Sequence, residues 1–128
     1  MPNTTLINAG VYDHDGTVRF AVSSSTGSKI SEDGDGIVDV RVQTIDSLAL
    51  EKVTFIKMDI EGAELNALKG AEKTLLRDKP KLAICIYHSN EDMLGVAEYL
   101  HRLLPEYKFH VRHHNCCPYE TETVLYAL

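Results

Sequence analysis

The sequence predicts an open α/β sheet, mostly parallel, whose last strand runs antiparallel. Three observations carry this. Two apolar runs, residues 53–60 and 82–87, have the length and the continuity of strands buried between helices. Each is followed by a helical pattern that ends in a proline signal. The two strand patterns that close the chain are separated by too little sequence for a helical crossover, so the order β-α-β-α-β-β ends on an antiparallel strand.

Residues 5–12 are β-rich and stop at Asp13-His14-Asp15-Gly16, a turn signal. Residues 17–22 alternate again, so the two runs are expected to be strands on either side of a tight turn. Residues 23–36 are dominated by Ser, Gly and Asp and read as a surface loop. Residues 38–44 set Val38, Val40 and Val42 against Asp39, Arg41 and Gln43, the period-2 pattern of a strand with one wet face.

Residues 53–60 are expected to be covered on both faces and to end at Glu61-Gly62. A helix over residues 63–77 follows, with Leu65, Leu68, Ala71, Leu75 and Leu76 near helical spacing and Asp78-Lys79-Pro80 as its stop. Gly70 within it costs about 1 kcal/mol relative to Ala, which points to a close helix-to-sheet contact. After the second buried strand, Ser89 with Asp92 resembles a capping box that opens a helix over 90–104. Pro105 ends that helix, residues 107–113 alternate as a third strand, and residues 121–128 form the last.

The chain has 128 residues, so it is read as one domain over 1–128. Its 13 Lys+Arg against 19 Asp+Glu leave a formal charge of −6, which provides no basic footprint for nucleic acid or an anionic membrane. The longest apolar run is far short of the roughly 20 residues that span a bilayer. Nor does Met1-Pro2-Asn3-Thr4-Thr5 have the basic and apolar regions of a secretory signal, so a cytoplasmic location is expected. Of the three cysteines, Cys85 lies in an apolar run as a small core residue, and adjacent Cys116 and Cys117 do not pair with each other.

Ligands of open α/β sheets collect beyond the carboxyl ends of the parallel strands. Those ends carry Lys57, Asp59 and Glu61, then Tyr87-His88-Ser89-Asn90, then Arg112-His113-His114. Alternation puts Lys57 and Asp59 on one strand face, and Glu61 is expected near the positive end of the next helix. Bland readings stand beside these: Asp59 and Glu61 as helix caps, His88 as a surface histidine. His110, His113, His114, Cys116 and Cys117 lack C-x-x-C spacing and are read as unrelated loop residues rather than a zinc site. Asp33-Gly34-Asp35-Gly36 lacks the later ligands of a calcium loop and is read as a polar turn. No G-x-G-x-x-G, phosphate-binding loop or nucleophile elbow is present.

The stretch Phe55-Ile56-Lys57-Met58-Asp59-Ile60-Glu61-Gly62-Ala63-Glu64-Leu65, continuing through Leu68-Lys69-Gly70-Ala71, resembles the FkbM-type family of S-adenosylmethionine-dependent methyltransferases. So do Asn8-Ala9-Gly10-Val11-Tyr12, Thr44-Ile45-Asp46-Ser47-Leu48, Pro80-Lys81-Leu82-Ala83, Tyr87-His88 and the closing Glu122-Thr123-Val124-Leu125-Tyr126-Ala127, in this order. The resemblance implies a class I methyltransferase (Rossmann-like) sheet of order 3-2-1-4-5-7-6 with its seventh strand antiparallel. Residues 5–12 would be its third strand, and the two strands that open such a fold, with the glycine-rich cofactor loop, have no counterpart. The chain is thus expected to be the C-terminal portion of that fold, binding cofactor weakly or not at all by itself.

By the same resemblance Asn8 and Ala9 would face the cofactor's adenine and Asp59 its methionyl part, and the acceptor would be a small-molecule hydroxyl, as on a sugar or polyketide. His88 or Asp59 is assigned the base role, with Lys57 and Glu61 orienting the acceptor. A divalent metal on Asp59, Glu61 and His88 is a less favoured alternative, and no metal is assigned. Two further readings are a non-catalytic remnant that self-associates through exposed strand edges and a metal-dependent hydrolase using the same Asp, Glu and His edge.

Overall fold

A computed structural model describes residues 3–21, 37–116 and 122–128. Strands β1 (Gly10–Val11), β2 (Gly16–Ala21) and β3 (Ile37–Gln43) form one sheet of order β1-β3-β2. A second sheet follows, built from β4 (Phe55–Met58), helices α1 (Glu64–Lys69) and α2 (Glu72–Asp78), β5 (Lys81–Cys85), α3 (Asn90–Leu103), β6 (Phe109–His113) and β7 (Thr123–Ala127). Its order is β4-β5-β7-β6, with β4 parallel to β5 and β7 antiparallel to both β5 and β6. The antiparallel last strand expected from the short final connection is therefore present, inserted between β5 and β6.

The N-terminal expectations need correction. Only Gly10 and Val11 of residues 5–12 are strand, paired in parallel with Val42 and Gln43. Leu6 is 92% exposed, and a β-prone run without a neighbouring strand has no ladder to join. The Asp13–Gly16 turn does not close a hairpin either, because β2 pairs antiparallel with β3 instead of β1. Asp15 turns the chain by another route: its Oδ1 accepts hydrogen bonds from the Thr44 amide at 2.7 Å and the Ser47 hydroxyl at 2.9 Å. Asp33-Gly34-Asp35-Gly36 and Cys117 lie outside the described residues.

β4 is covered on one face only, contrary to the two-sided burial its apolar run predicted. Ile56 and Met58 are buried while Phe55, on the other face, is 56% exposed, because the core packs against one face of β4 alone. β5, flanked by β4 and β7, is buried from Leu82 through Cys85. Burial pushes the Cys85 thiol up to about 11, as suits a core cysteine rather than a nucleophile.

The helix expected over 63–77 is two helices. A Cβ on Gly70 would lie 2.1 Å from the Tyr12 carbonyl oxygen, so the close approach inferred from this glycine is to the backbone just after β1. The Gly70 carbonyl accepts the Asp46 N–H at 3.0 Å. Asp46 then caps the new helix with its side chain, accepting the Thr74 amide at 2.8 Å, the Lys73 amide at 3.0 Å and the Thr74 hydroxyl at 2.7 Å. Burial pushes the Asp46 carboxyl up, but these hydrogen bonds outweigh it and hold it below the usual carboxylate range.

Helix α3 matches its expected span closely. Ser89 is its N-cap, with Oγ accepting the Asp92 amide at 3.0 Å and donating to the Asp92 carboxylate at 2.7 Å. Its buried stripe of Val96, Leu100 and the following Leu104 packs with Leu68, Leu75 and Ile84 into one core; each such side chain contributes about 1.5–3 kcal/mol. Among the described residues no helix is long and apolar enough to cross a membrane.

Candidate functional site

The turn that leaves β4 is built around a buried carboxylate. Glu64, the first residue of α1, is 0% exposed and reaches back over the turn. Its Oε1 accepts the Ile60 amide at 2.8 Å and its Oε2 the Gly62 amide at 2.9 Å. Both donors precede a helix and lack intrahelical partners, so the negative charge at the helix N-terminus is doubly favoured. The clasp holds Glu61 and Gly62 in left-handed conformation, with φ of 58° and 94°. Glu61 therefore belongs to the turn, and Glu64 occupies the helix-opening position expected for it.

His88 enters from the segment after β5. Its side chain is 6% exposed, and its Nδ1 lies 3.1 Å from Glu64 Oε1. Its Nε2 lies 3.5 Å from Asp59 Oδ1 and 3.7 Å from Glu61 Oε2. The reading of His88 as a surface histidine thus does not hold. None of these approaches is aligned as a hydrogen bond, and both ring nitrogens are buried without one. The 3.1 Å contact is an ion-pair distance whose N–H direction misses the carboxylate oxygen.

Asp59 is held from two other sides. The Tyr87 hydroxyl donates to its Oδ1 at 3.1 Å, and Lys57 Nζ stands 3.5 Å from its Oδ2. Lys57 and Asp59 do share a face, as alternation predicted. Burial, then the hydrogen bond to Asp59, push the Tyr87 phenol well above its usual range, so it stays protonated and donates.

A cavity of about 460 Å³ opens between the two sheets beside this cluster. Tyr12, Phe20 and Val42 line one side, and Glu61, His88 and Asp92 the other. The volume is in the range of small-molecule sites. Its walls pair apolar surface with a few convergent polar groups.

The structure brings together Lys57, Asp59, Glu61 and His88, all singled out from sequence. It does not bring Asn8 or Ala9 into the cavity wall: Asn8 is exposed and Ala9 half-buried, just ahead of Gly10, where the lining begins. Sequence reasoning assigned no role to Glu64, although it stands in the quoted motif; an acidic residue in a helix's first turn was the available signal. Tyr87 and Asp92 were noted only as a strand end and a cap. Asp59, Glu64 and His88 offer ligand-capable atoms within 4.8 Å of one another, the one such group among the described residues. None forms in the described part of the His110 to Cys116 segment, where His114 Nε2 instead lies 2.9 Å from the Tyr126 hydroxyl.

Two mixed sheets with flanking helices, and a carboxylate–imidazole cluster at the end of parallel strands, define an α/β protein with an enzyme-like cleft. A model of the Methyltransferase FkbM domain matches residues 3–111, and the chain belongs to that family. It is also similar to the crystal structure of methyltransferase FkbM from Methylobacillus flagellatus KT, with 35% identity and a TM-score of 0.74. That match covers 97% of this chain and 28% of the other, so the chain spans little more than a quarter of the solved protein's length. No curated protein matches it. Neither the hydrolase nor the non-catalytic reading finds support in these likenesses.

Proposed function

We propose that the chain serves S-adenosylmethionine-dependent methylation of a small-molecule hydroxyl, on a sheet arranged as the later part of a class I methyltransferase. Family membership supports the reaction class. The observation that carries the hydroxyl acceptor is the buried imidazole of His88, whose Nε2 faces Asp59 and Glu61 at the edge of an open cavity.

When bound, S-adenosylmethionine supplies an electrophilic methyl group on a sulfonium. The cavity runs from Gly10 and Val11 of β1 to Glu61 and His88 of the polar cluster, long enough in lining for a ligand that meets apolar surface at one end and polar groups at the other. The chain's own residues act on the acceptor. Glu61 and Lys57 orient it, and its hydroxyl proton passes to Asp59 or His88, 3.5 Å apart. Apolar Phe20 and Val42 limit water on the far wall. Positioning supplies much of the rate in such a displacement.

The test is transfer of labelled methyl from S-adenosylmethionine to panels of hydroxyl, amine and thiol compounds, with calorimetric titration of S-adenosylhomocysteine alongside. Label on hydroxyl compounds, reduced about 100-fold or more in His88→Ala, is the expected result. Label confined to amines or thiols, or turnover unchanged in that variant, overturns the acceptor assignment. Silence in both the assay and the titration overturns the claim that these residues carry the activity.

A further inference from the structure

The helices cover one face of the second sheet. Ile56, Met58, Leu82, Ile84 and Leu125 point into a core that they share with Leu68 of α1, Leu75 of α2 and Leu100 of α3. Alternation sends the intervening strand residues to the opposite face. None of the three described α-helices packs on that side. Ala83 and Cys85 are buried there but stand outside the core cluster, while Phe55 and Leu128 are 56% and 53% exposed. A sheet built on parallel α/β strands is ordinarily covered on both faces.

Register sorts this open face into rows that cross all four strands. Lys57, Ala83, Tyr126 and His110 form one row. Asp59, one step past the last pair of β4, opens the next, which continues through Cys85, Val124 and Arg112. Phe55 and Lys81 begin a third, which reaches Lys108 through its paired backbone bonds with Leu128. At the centre of the first two rows a small residue on β5 therefore lies beside a larger one on β7. The second row ends in opposite charges, Asp59 on β4 and Arg112 on β6.

We propose that this face packs against the same face of a second copy, about a two-fold axis that runs parallel to the strands between β5 and β7. Such a rotation lays β4 over the partner's β6 and β5 over the partner's β7 without shifting the rows. It also keeps the two twisted surfaces parallel, at the spacing of about 10 Å usual for stacked sheets. Ala83 then faces the partner's Tyr126 and Cys85 the partner's Val124, so small side chains receive large ones. Asp59 faces the partner's Arg112, and the Phe55 ring faces the ammonium of the partner's Lys108. Each contact occurs twice, as an isologous interface requires. An axis across the strands fits worse: it sets Ala83 over the partner's Cys85 and Tyr126 over the partner's Val124, which leaves one strip hollow and overfills the other. The partner's Arg112 thus becomes a second cation beside Asp59, which already has Lys57 Nζ at 3.5 Å.

Sedimentation velocity on the chain, from about 1 µM to about 1 mM, is the test. A reversible monomer–dimer equilibrium is expected. Arg112→Glu, at an exposed position of an edge strand, sets like charges together, and Phe55→Lys does so against Lys108; each weakens the dimer by about tenfold or more. Adding Asp59→Arg to Arg112→Glu restores the opposite charges and with them the dimer. Lys69→Glu, exposed on the helical side, leaves association unchanged. Circular dichroism reports whether each variant folds, and Phe55→Lys decides the matter if Arg112→Glu does not. A chain that stays monomeric to about 1 mM assigns the face to a different polypeptide and overturns the proposal. So does a dimer that either folded single variant leaves at full strength, or a folded charge-swapped variant no tighter than Arg112→Glu. No cofactor or acceptor enters the experiment, so its outcome and that of the methyl-transfer assay are independent.

Discussion

The Glu64 carboxylate and the His88 imidazole meet at 3.1 Å, although one opens a helix after β4 and the other follows β5. The clasp that shapes the turn thus stands directly beside the site's histidine. Each Glu64 oxygen accepts one backbone N–H of the turn. Replacement by glutamine keeps the shape but sets an NH₂ against one of those donors.

Glu64→Gln is accordingly expected to lower stability by about 1–3 kcal/mol, the cost of a buried donor left unmatched. Urea unfolding at neutral pH checks this. A loss smaller than the error of the extrapolation would show that the turn holds without the clasp.

Gly70→Ala should also destabilise, against the helical preference for alanine. Propensity alone favours Ala by about 1 kcal/mol, and the glycine has an ordinary helical backbone, with φ of −71°. The added Cβ, however, would stand 2.1 Å from the Tyr12 carbonyl oxygen, and backbone cannot give way as a flexible side chain does. A net loss of about 1–3 kcal/mol is expected from such overpacking. A raised melting temperature in this variant would refute the close approach of α1 to the β1 segment.

Acid should unpick the start of the second sheet through Asp78. Hydrogen bonding from Arg77, then from the Val53 amide, lowers its carboxyl from 3.8 to about 2. Between those values the unfolded chain binds more protons than the folded one, so the contribution is complete above about pH 4 and is lost as pH falls through the folded pKa. Asp78→Asn should therefore be less stable than the parent at pH 7, with the gap closing as pH falls toward 2. Denaturation midpoints of both proteins across that range make the comparison; a gap independent of pH would contradict it.

Much of the second sheet was legible because its signals are local. Ser89 and Asp92 mark the start of α3, Pro105 follows its end, and its apolar stripe repeats at helical spacing. The direction of β7 followed from connection length alone. The first sheet was misread because the pairing partner of β1 is β3, more than thirty residues away, with β2 between them in sequence. A turn signal at Asp13–Gly16 carries no information about which strand will accept the chain on the far side.

The polar residues of the site were named from sequence because strand ends in α/β sheets expose them, and Lys57, Asp59, Glu61 and His88 do converge. Their burial and spacing were not readable. His88 became a buried, unbonded imidazole only when β5 lay beside β4 and brought it against the Glu64 clasp.

The amino-acid sequence by itself determined the α/β class, the span of α3, the family and the identity of the cluster's polar residues, since periodicity, caps and motifs act over a few neighbouring positions. Only the tertiary structure decided that the helix after β4 breaks at Gly70, that Asp46 caps its second half, and that Asp59, Glu61 and Glu64 enclose one histidine. Those outcomes depend on contacts between segments about 25 or more residues apart in most cases, where backbone approach and charge, rather than local preference, select the conformation.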